Sequence, residues 1–168
     1  MNVIKRDGRV VGVDFNKITQ RLRKICDEVS PKIDPIIIAQ KVCASLYNNC
    51  TTRELDQLSA TTAMGMSTVN PEYGVLAAHL VINDLQKSTK ATFHEVTEIL
   101  YKNKIVSEEY YKFATDNKEL IEKTINYDKD YLLDFFGFKT LEKGYLHKVK
   151  GEVVERPQDM WMRVALGI

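Results

Sequence analysis

Seven cationic residues fall within the first 24 positions. Lys5, Arg6, Arg9, Lys17, Arg21, Arg23 and Lys24 stand against only Asp7 and Asp14, a local charge of +5 in a chain whose total is +1. Charge this concentrated suits an anionic ligand better than it suits general basicity. A second group complements it. Thr51-Thr52-Arg53-Glu54 has the spacing of a capping box, so a helix begins there, and the open amides of a helix N-terminus attract phosphate. Cationic side chains reaching the same point add charge-assisted hydrogen bonds. Asp56 follows one turn on. Beside a phosphate it would meet like charge, but its carboxylate can accept from a ribose hydroxyl; as a first-turn acid it can equally complement the helix dipole. Lys87 is a more distant cation of the same set. The bland alternative is a solvated basic face, since basic residues beside an Asp-Gly turn are common. No G-x-x-x-x-G-K-[ST], G-x-G-x-x-G or G-x-S-x-G string occurs, which excludes the usual phosphate loops and the nucleophile elbow.

The elements that must hold these residues can be read from pattern. Asp7-Gly8 predicts a two-residue type I′ turn, flanked by Val3 and Ile4 on one side and Val10, Val11 and Val13 on the other. Ile18, Leu22, Ile25, Cys26 and Val29 recur at helical spacing until Ser30-Pro31 ends the run. Asp34-Pro35 opens a second helix with Ile38, Val42 and Leu46 on one face. The helix from Thr51 is expected to turn Leu55, Leu58, Thr62 and Met66 inward. Asn70-Pro71 starts a fourth, carrying Tyr73, Leu76, Ala77, Leu80 and Leu85 and continuing toward Tyr101. Residues 1 to 100 therefore read as a small β-hairpin cap on a four-helix bundle, within a mainly α chain.

Composition bounds the rest. At 168 residues, 44% hydrophobic and 28% charged, the chain can form one good core, or a small domain and part of another. No apolar run approaches the roughly 18 residues of a membrane span, and the charged N-terminus is no signal peptide, so a cytosolic chain is expected. Neither a membrane nor nucleic acid is expected as a partner. Cys26, Cys43 and Cys50 lack C-x-x-C spacing; Cys26 and Cys43 read as buried thiols. His79, His94 and His147 are too scattered for a metal motif, so no metal held by this chain is expected. Residues 108–126 read as one or two charged surface helices, before an aromatic, acidic stretch from Tyr127 to Gly144. The closing Met160-Trp161-Met162-Arg163-Val164-Ala165-Leu166-Gly167-Ile168 is apolar enough to suggest a chain cut inside a larger domain, the alternative being a helix that docks back on the bundle.

Val3-Ile4-Lys5-Arg6-Asp7-Gly8-Arg9, Phe15-Asn16-Lys17-Ile18-Thr19 and Thr51-Thr52-Arg53-Glu54-Leu55-Asp56 resemble the ATP-cone that begins the large, catalytic subunit of class I ribonucleotide reductase in its eukaryotic and viral form. Asn70-Pro71-Glu72-Tyr73 with Leu76-Ala77-Ala78 looks like its fourth-helix signature. Tyr127-Asp128-Lys129-Asp130, Phe136-Gly137-Phe138-Lys139-Thr140-Leu141-Glu142 and Glu155-Arg156-Pro157-Gln158 resemble the segment leading toward its catalytic barrel, and these later strings are the more specific. The resemblance implies a cone over residues 1–100 and, over 101–168, the incomplete N-terminal helical part of the catalytic domain. It implies an allosteric effector site for ATP, which leaves the enzyme active, or dATP, which shuts it down through subunit assembly, the nucleotide carrying magnesium.

The contacts so implied are Lys5, Arg6, the run Val11, Gly12, Val13, Asp14, Phe15, Asn16, Lys17 and Ile18, then Thr52 and Asp56, with Lys87 nearby. Implied partners are the rest of the large subunit, further large subunits in a homo-oligomer, and a radical-generating small subunit. The full-length protein would be an oxidoreductase reducing ribonucleoside diphosphates to deoxyribonucleotides for DNA replication. That chemistry needs cysteines in the barrel and at the C-terminus, and Cys26, Cys43 and Cys50 match none of them, so this chain alone is expected to be inactive. Val11, Asn16 and Thr61 stand where relatives often carry an acid, Asp and Glu. These departures leave the phosphate side intact and bear on base and ribose discrimination, so a cone that binds without regulating strongly is one expectation. Two other classes compete: a nucleotide-sensing repressor, which lacks its zinc ribbon here, and a stand-alone sensing or adaptor module without catalysis.

Overall fold

The first two strands, β1 (Asn2–Ile4) and β2 (Val10–Gly12), form an antiparallel hairpin in the register Val3 opposite Val11. Its turn is not type I′. Gly8 alone has a left-handed backbone, at φ 83°; the Gly8 amide donates to the Lys5 carbonyl and the Lys5 amide to the Arg9 carbonyl, giving a type I turn closed by a bulge at Gly8. The reason lies in Asp7, whose carboxylate accepts from the Arg9 amide at 3.1 Å, an Asx turn that keeps Asp7 out of the left-handed region.

Asp14 then caps α1 (Phe15–Val29), accepting from the Asn16 and Lys17 amides. Asp34 and Pro35 open α2 (Pro35–Ala44). A strand absent from the sequence reading follows: β3 (Cys50–Thr51) pairs parallel with β1, so the sheet order is β2-β1-β3. The Asn48 side chain and the Asn49 amide clasp the backbone of Asn2, at 2.8 Å each. Thr51 is both the end of β3 and the cap of α3 (Thr52–Gly65), with the expected capping box to Glu54. This places the N-terminus of α3 against the hairpin.

α1 packs on α2 and α2 on α3. Val3, Ile18, Leu22, Ile38, Val42 and Leu76 are among the buried side chains. On α3 the buried stripe is Leu55, Asp56, Ser59, Ala60 and Ala63, while Leu58, Thr62 and Met66 are only half-buried. The stripe is rotated so that Asp56 lies inside, where Arg6 and Arg21 pair with it. Cys26 and Cys50 are buried thiols, whereas Cys43 is half-exposed, so the reading of Cys43 as buried is corrected. Burial raises the Cys26 thiol to about 11, with Asp27 and Asp34 adding to it.

The fourth helix is shorter than the apolar pattern suggests. α4 (Glu72–Ser88) stops where the Ser88 and Thr89 hydroxyls and the Thr89 amide all donate to the Leu85 carbonyl, and Thr92 with Glu95 caps a new helix, α5 (Phe93–Lys102). The structure, a computed structural model, describes residues 1–168 and parts into two compact units, Met1–Asp84 and Leu85–Ile168.

In the second unit α6 (Glu108–Asp116), α7 (Lys118–Thr124), a 3₁₀ turn at Tyr127–Leu132 and α8 (Phe135–Gly144) precede a hairpin of β4 (Lys148–Val149) and β5 (Glu152–Val153). Lys150 and Gly151 both have positive φ, so the turn type expected at Asp7-Gly8 occurs here instead. The last helix, α9 (Pro157–Gly167), packs Met162 and Leu166 against a cluster of Phe93, Ala114 and Ile121, leaving Trp161 and Val164 exposed.

The Glu155-Arg156-Pro157-Gln158 string forms a buried polar knot. Glu155, fully buried, accepts a fork from Arg163 and the His147 amide. Arg156 donates to Thr89 and to the Gln86 carbonyl and lies 4.7 Å from the Tyr127 ring centre. Asp130 accepts from Gln86 and the Gln158 amide; Asp159 accepts from the Tyr127 hydroxyl and the Arg156 amide.

Candidate functional site

Between the hairpin, α1 and the start of α3 lies a cleft of about 340 Å³, within the range of roughly 300 to 1,000 Å³ usual for small-ligand sites. The hairpin gives it Lys5, Arg9, Val11 and Gly12; the connection and first turns of α1 give Val13, Asp14, Lys17, Ile18 and Arg21; α3 gives Thr52 and Leu55, with Val3 on the floor. Lys5, Arg9, Lys17 and Arg21 set four cations around a wall whose sole acid is Asp14. Asp14 is itself engaged, its carboxylate capping α1 and lying 3.8 Å from the Lys17 ammonium. Arg9 shares its charge with Asp7, the hydrogen bond from Arg9 holding the Asp7 carboxyl below its ordinary value. The Thr51 hydroxyl is used by the Glu54 capping box, so Thr52 is the threonine of the pair at the cleft. The cleft's lining combines the apolar Val3, Val11, Val13, Ile18 and Leu55 with four cations and the N-terminal turn of α3, residue types able to take both a flat heterocycle and phosphate.

Lys5, Val11, Gly12, Val13, Asp14, Lys17, Ile18 and Thr52 of the sequence-predicted residues line this cleft together. Phe15 and Asn16 do not; both are exposed at the start of α1, where the Asn16 amide is taken by Asp14. Lys87 lies exposed on the last turn of α4, in the second unit. Arg6 and Asp56 form a layer beneath. Asp56 is 3% exposed and paired to Arg21 on one oxygen and to Arg6 on the other, at 3.4 Å, while Arg6 also pairs Asp84. Arg21 and Arg9 are cleft residues that sequence reasoning counted as charge without assigning to the site. For Arg21 a signal existed: it follows Lys17 by four residues, one turn along the same face of α1. No group of three or more His, Cys, Asp or Glu side chains comes together to hold a metal ion, and no helix is long and apolar enough to cross a membrane.

A family model described as the ATP cone domain matches residues 1–88, and one described as ribonucleotide reductase, all-alpha domain, matches residues 131–168. The chain is 43% identical to the ribonucleoside-diphosphate reductase large subunit of Arabidopsis thaliana and 45% identical to that of Danio rerio, in each case over 100% of this chain and 22% of the relative. It is 44% identical to the large subunit of Monkeypox virus over 100% of this chain and 23% of that protein. The chain thus spans under a quarter of the length of these relatives.

Proposed function

Since the chain belongs to the ATP-cone family, we propose that it is the regulatory N-terminal region of a ribonucleoside-diphosphate reductase large subunit, and that its cleft takes ATP as activator or dATP as inhibitor. The observation that carries the reading is the cleft itself, lined by four cations, by the N-terminal turn of α3, and by valines, isoleucine and leucine. Lys5, Lys17 and the α3 amides hold the phosphates, and Val11, Val13 and Leu55 flank the base. Magnesium arrives on the triphosphate. Val11 brings no negative charge to the wall, which favours tight phosphate binding and leaves less to tell one nucleoside from another.

The relatives' printed names support a ribonucleoside-diphosphate reductase large subunit, and the wider reading extends our proposal beyond them. The partners are the remainder of a large subunit, other large subunits and a radical-generating small subunit, in the cytosol, and the reaction is reduction of ribonucleoside diphosphates. Cys26, Cys43 and Cys50 lie in the first unit; burial raises all three thiols, a setting for packing rather than for redox chemistry. The test is calorimetric titration of the folded chain with ATP and with dATP. One saturable site for each is expected. Absence of heat with both, in a sample shown to be folded, refutes the reading.

A further inference from the structure

We propose that the buried polar knot around Arg156 is a proton-operated latch: Asp159, set against the Tyr127 hydroxyl, holds the first turn of α9 in place while it carries a proton and loosens that turn when the proton leaves. Every group concerned lies in the second unit, so the inference is independent of the nucleotide reading.

The knot has more acid than base. Glu155 and Asp130 are 0% exposed and Asp159 is 1% exposed, and the cations bonded among them are Arg156 and Arg163. Arg163 is committed, its fork closed on Glu155. The Arg156 guanidinium is directed to neutral groups, namely the Thr89 hydroxyl, the Gln86 carbonyl and the face of the Tyr127 ring. One positive charge is thus left for two buried carboxyls, and a buried carboxylate without a matching cation is stabilised by keeping a proton.

The hydrogen bonds decide which of the two holds it. Asp130 is met by nitrogens, the Gln86 amide at 3.0 Å and the Gln158 backbone at 3.1 Å, and Gln86 cannot present its oxygen instead because the Tyr131 hydroxyl donates to it. Such partners donate and cannot accept a carboxyl proton. Asp159 takes the Arg156 amide at 2.8 Å on one oxygen and the Tyr127 hydroxyl at 2.6 Å on the other, and a hydroxyl can turn to accept. Asp159 is therefore where the proton fits. Burial raises both carboxyls, that of Asp159 to about 6 with the Asp130 charge adding to it, and burial beside Asp159 raises the Tyr127 hydroxyl, which stays neutral throughout. Around them, Glu122 of α7 acts on Tyr127, Tyr110 of α6 lies in the field of Glu155 and Arg163, His147 meets Glu155 through its backbone amide, and the end of α4 brings the neutral Gln86 and Thr89.

The consequence falls on α9. Asp159 and the Arg156 amide form the cap of this helix, and Met162 and Leu166 further along it pack on Phe93, Ala114 and Ile121. A raised carboxyl contributes stability that is fully present below pH 3.8 and is lost as pH rises through 6, so the latch closes on acidification, and toward neutral pH α9 leaves that cluster more often.

The carbon-13 resonance of the Asp159 carboxyl and amide hydrogen exchange along α9, both measured on the full chain between about pH 4 and pH 8, test the latch. A midpoint near 6 instead of 3.8 is expected for Asp159. Protection of the α9 amides, corrected for intrinsic exchange, should fall by up to about a hundredfold from about pH 4 to pH 7. Asp130→Asn, by removing the neighbouring negative charge, should lower the Asp159 midpoint, and Asp159→Asn, neutral at every pH, should hold α9 protection level across the range. A midpoint at 3.8, a midpoint unmoved by Asp130→Asn, or a raised midpoint that α9 protection does not follow overturns the proposal. If either variant fails to fold, the two wild-type measurements still decide.

Discussion

Asp56→Asn separates two accounts of one carboxylate. The side chain keeps its volume and one acceptor oxygen but loses the negative charge held between Arg6 and Arg21. If Asp56 merely complemented the dipole of α3, the loss would be about 0.3 to 1 kcal/mol. The structure argues for more. Removing one member of a buried ion pair costs about 3 to 5 kcal/mol when both members are shielded. Here only Asp56 is shielded; the side chains of Arg6 and Arg21 are 38% and 31% exposed, so water accepts part of the stranded charge. The amide oxygen also keeps one of the two guanidinium contacts. Together these bring the expected loss to about 2 kcal/mol. Urea unfolding followed by far-ultraviolet circular dichroism measures it. A loss under about 1 kcal/mol would return Asp56 to the dipole role and refute the argument that the pairs carry stability.

Lys5→Ala removes an exposed cation from the cleft, so ATP binding should weaken by roughly tenfold to 150-fold, corresponding to about 1.5 to 3 kcal/mol, with unfolding unchanged; calorimetry and denaturation on one sample check both halves. Asp159 should make stability depend on pH. Burial raises its carboxyl to about 6 from 3.8, so its contribution is fully present below pH 3.8 and is lost as pH rises through 6, a change approaching 3 kcal/mol at about 1.36 kcal/mol per pH unit. Asp159→Asn is expected to flatten that part of a stability-against-pH curve, and an unaltered slope would show the shift to be absent. Gly137→Ala places a methyl group 2.8 Å from the Asp134 oxygen that caps α8, so the cap must move, at a cost of about 1 kcal/mol seen in urea.

The parts of the fold legible in the sequence are those set by local chemistry. Asp34, Thr51 and Asn70 each lie within reach of the amides they satisfy, so the starts of α2, α3 and α4 could be read directly, whereas the Asp14 cap of α1 went unread. The misread features depend on groups further apart or on competing short-range bonds. Asp7-Gly8 carries the dipeptide of one turn, but the Asp7 side chain selects another through the Arg9 amide. Apolar periodicity runs on past Ser88, yet three donors on the Leu85 carbonyl end the helix. β3 has only two residues and no pattern to detect. At the site, Lys5 and Lys17 could be gathered from charge and Val11 to Ile18 only from the family resemblance, whereas the burial of Asp56 depends on Arg6, Arg21 and Asp84 meeting across long separations.

That two-residue strand has a consequence for how the chain would respond to a nucleotide in this cleft. The clasp of Asn48 and Asn49 on Asn2, and the pairing of Val3 with Cys50, close a loop of nearly fifty residues before Thr52 can stand opposite Lys5. An unfolded chain has no half-formed version of this pocket. On the proposed nucleotide reading, the ligand can therefore stabilise only the closed state, and at a hundred times its dissociation constant it would add about 2.7 kcal/mol to the cost of opening. Cellular nucleotide concentration would then set the lifetime of the N-terminal unit as well as its occupancy: in a nucleotide-poor cell the first strand would release sooner, and the segment from Met1 to Thr52 would become the point at which proteases enter.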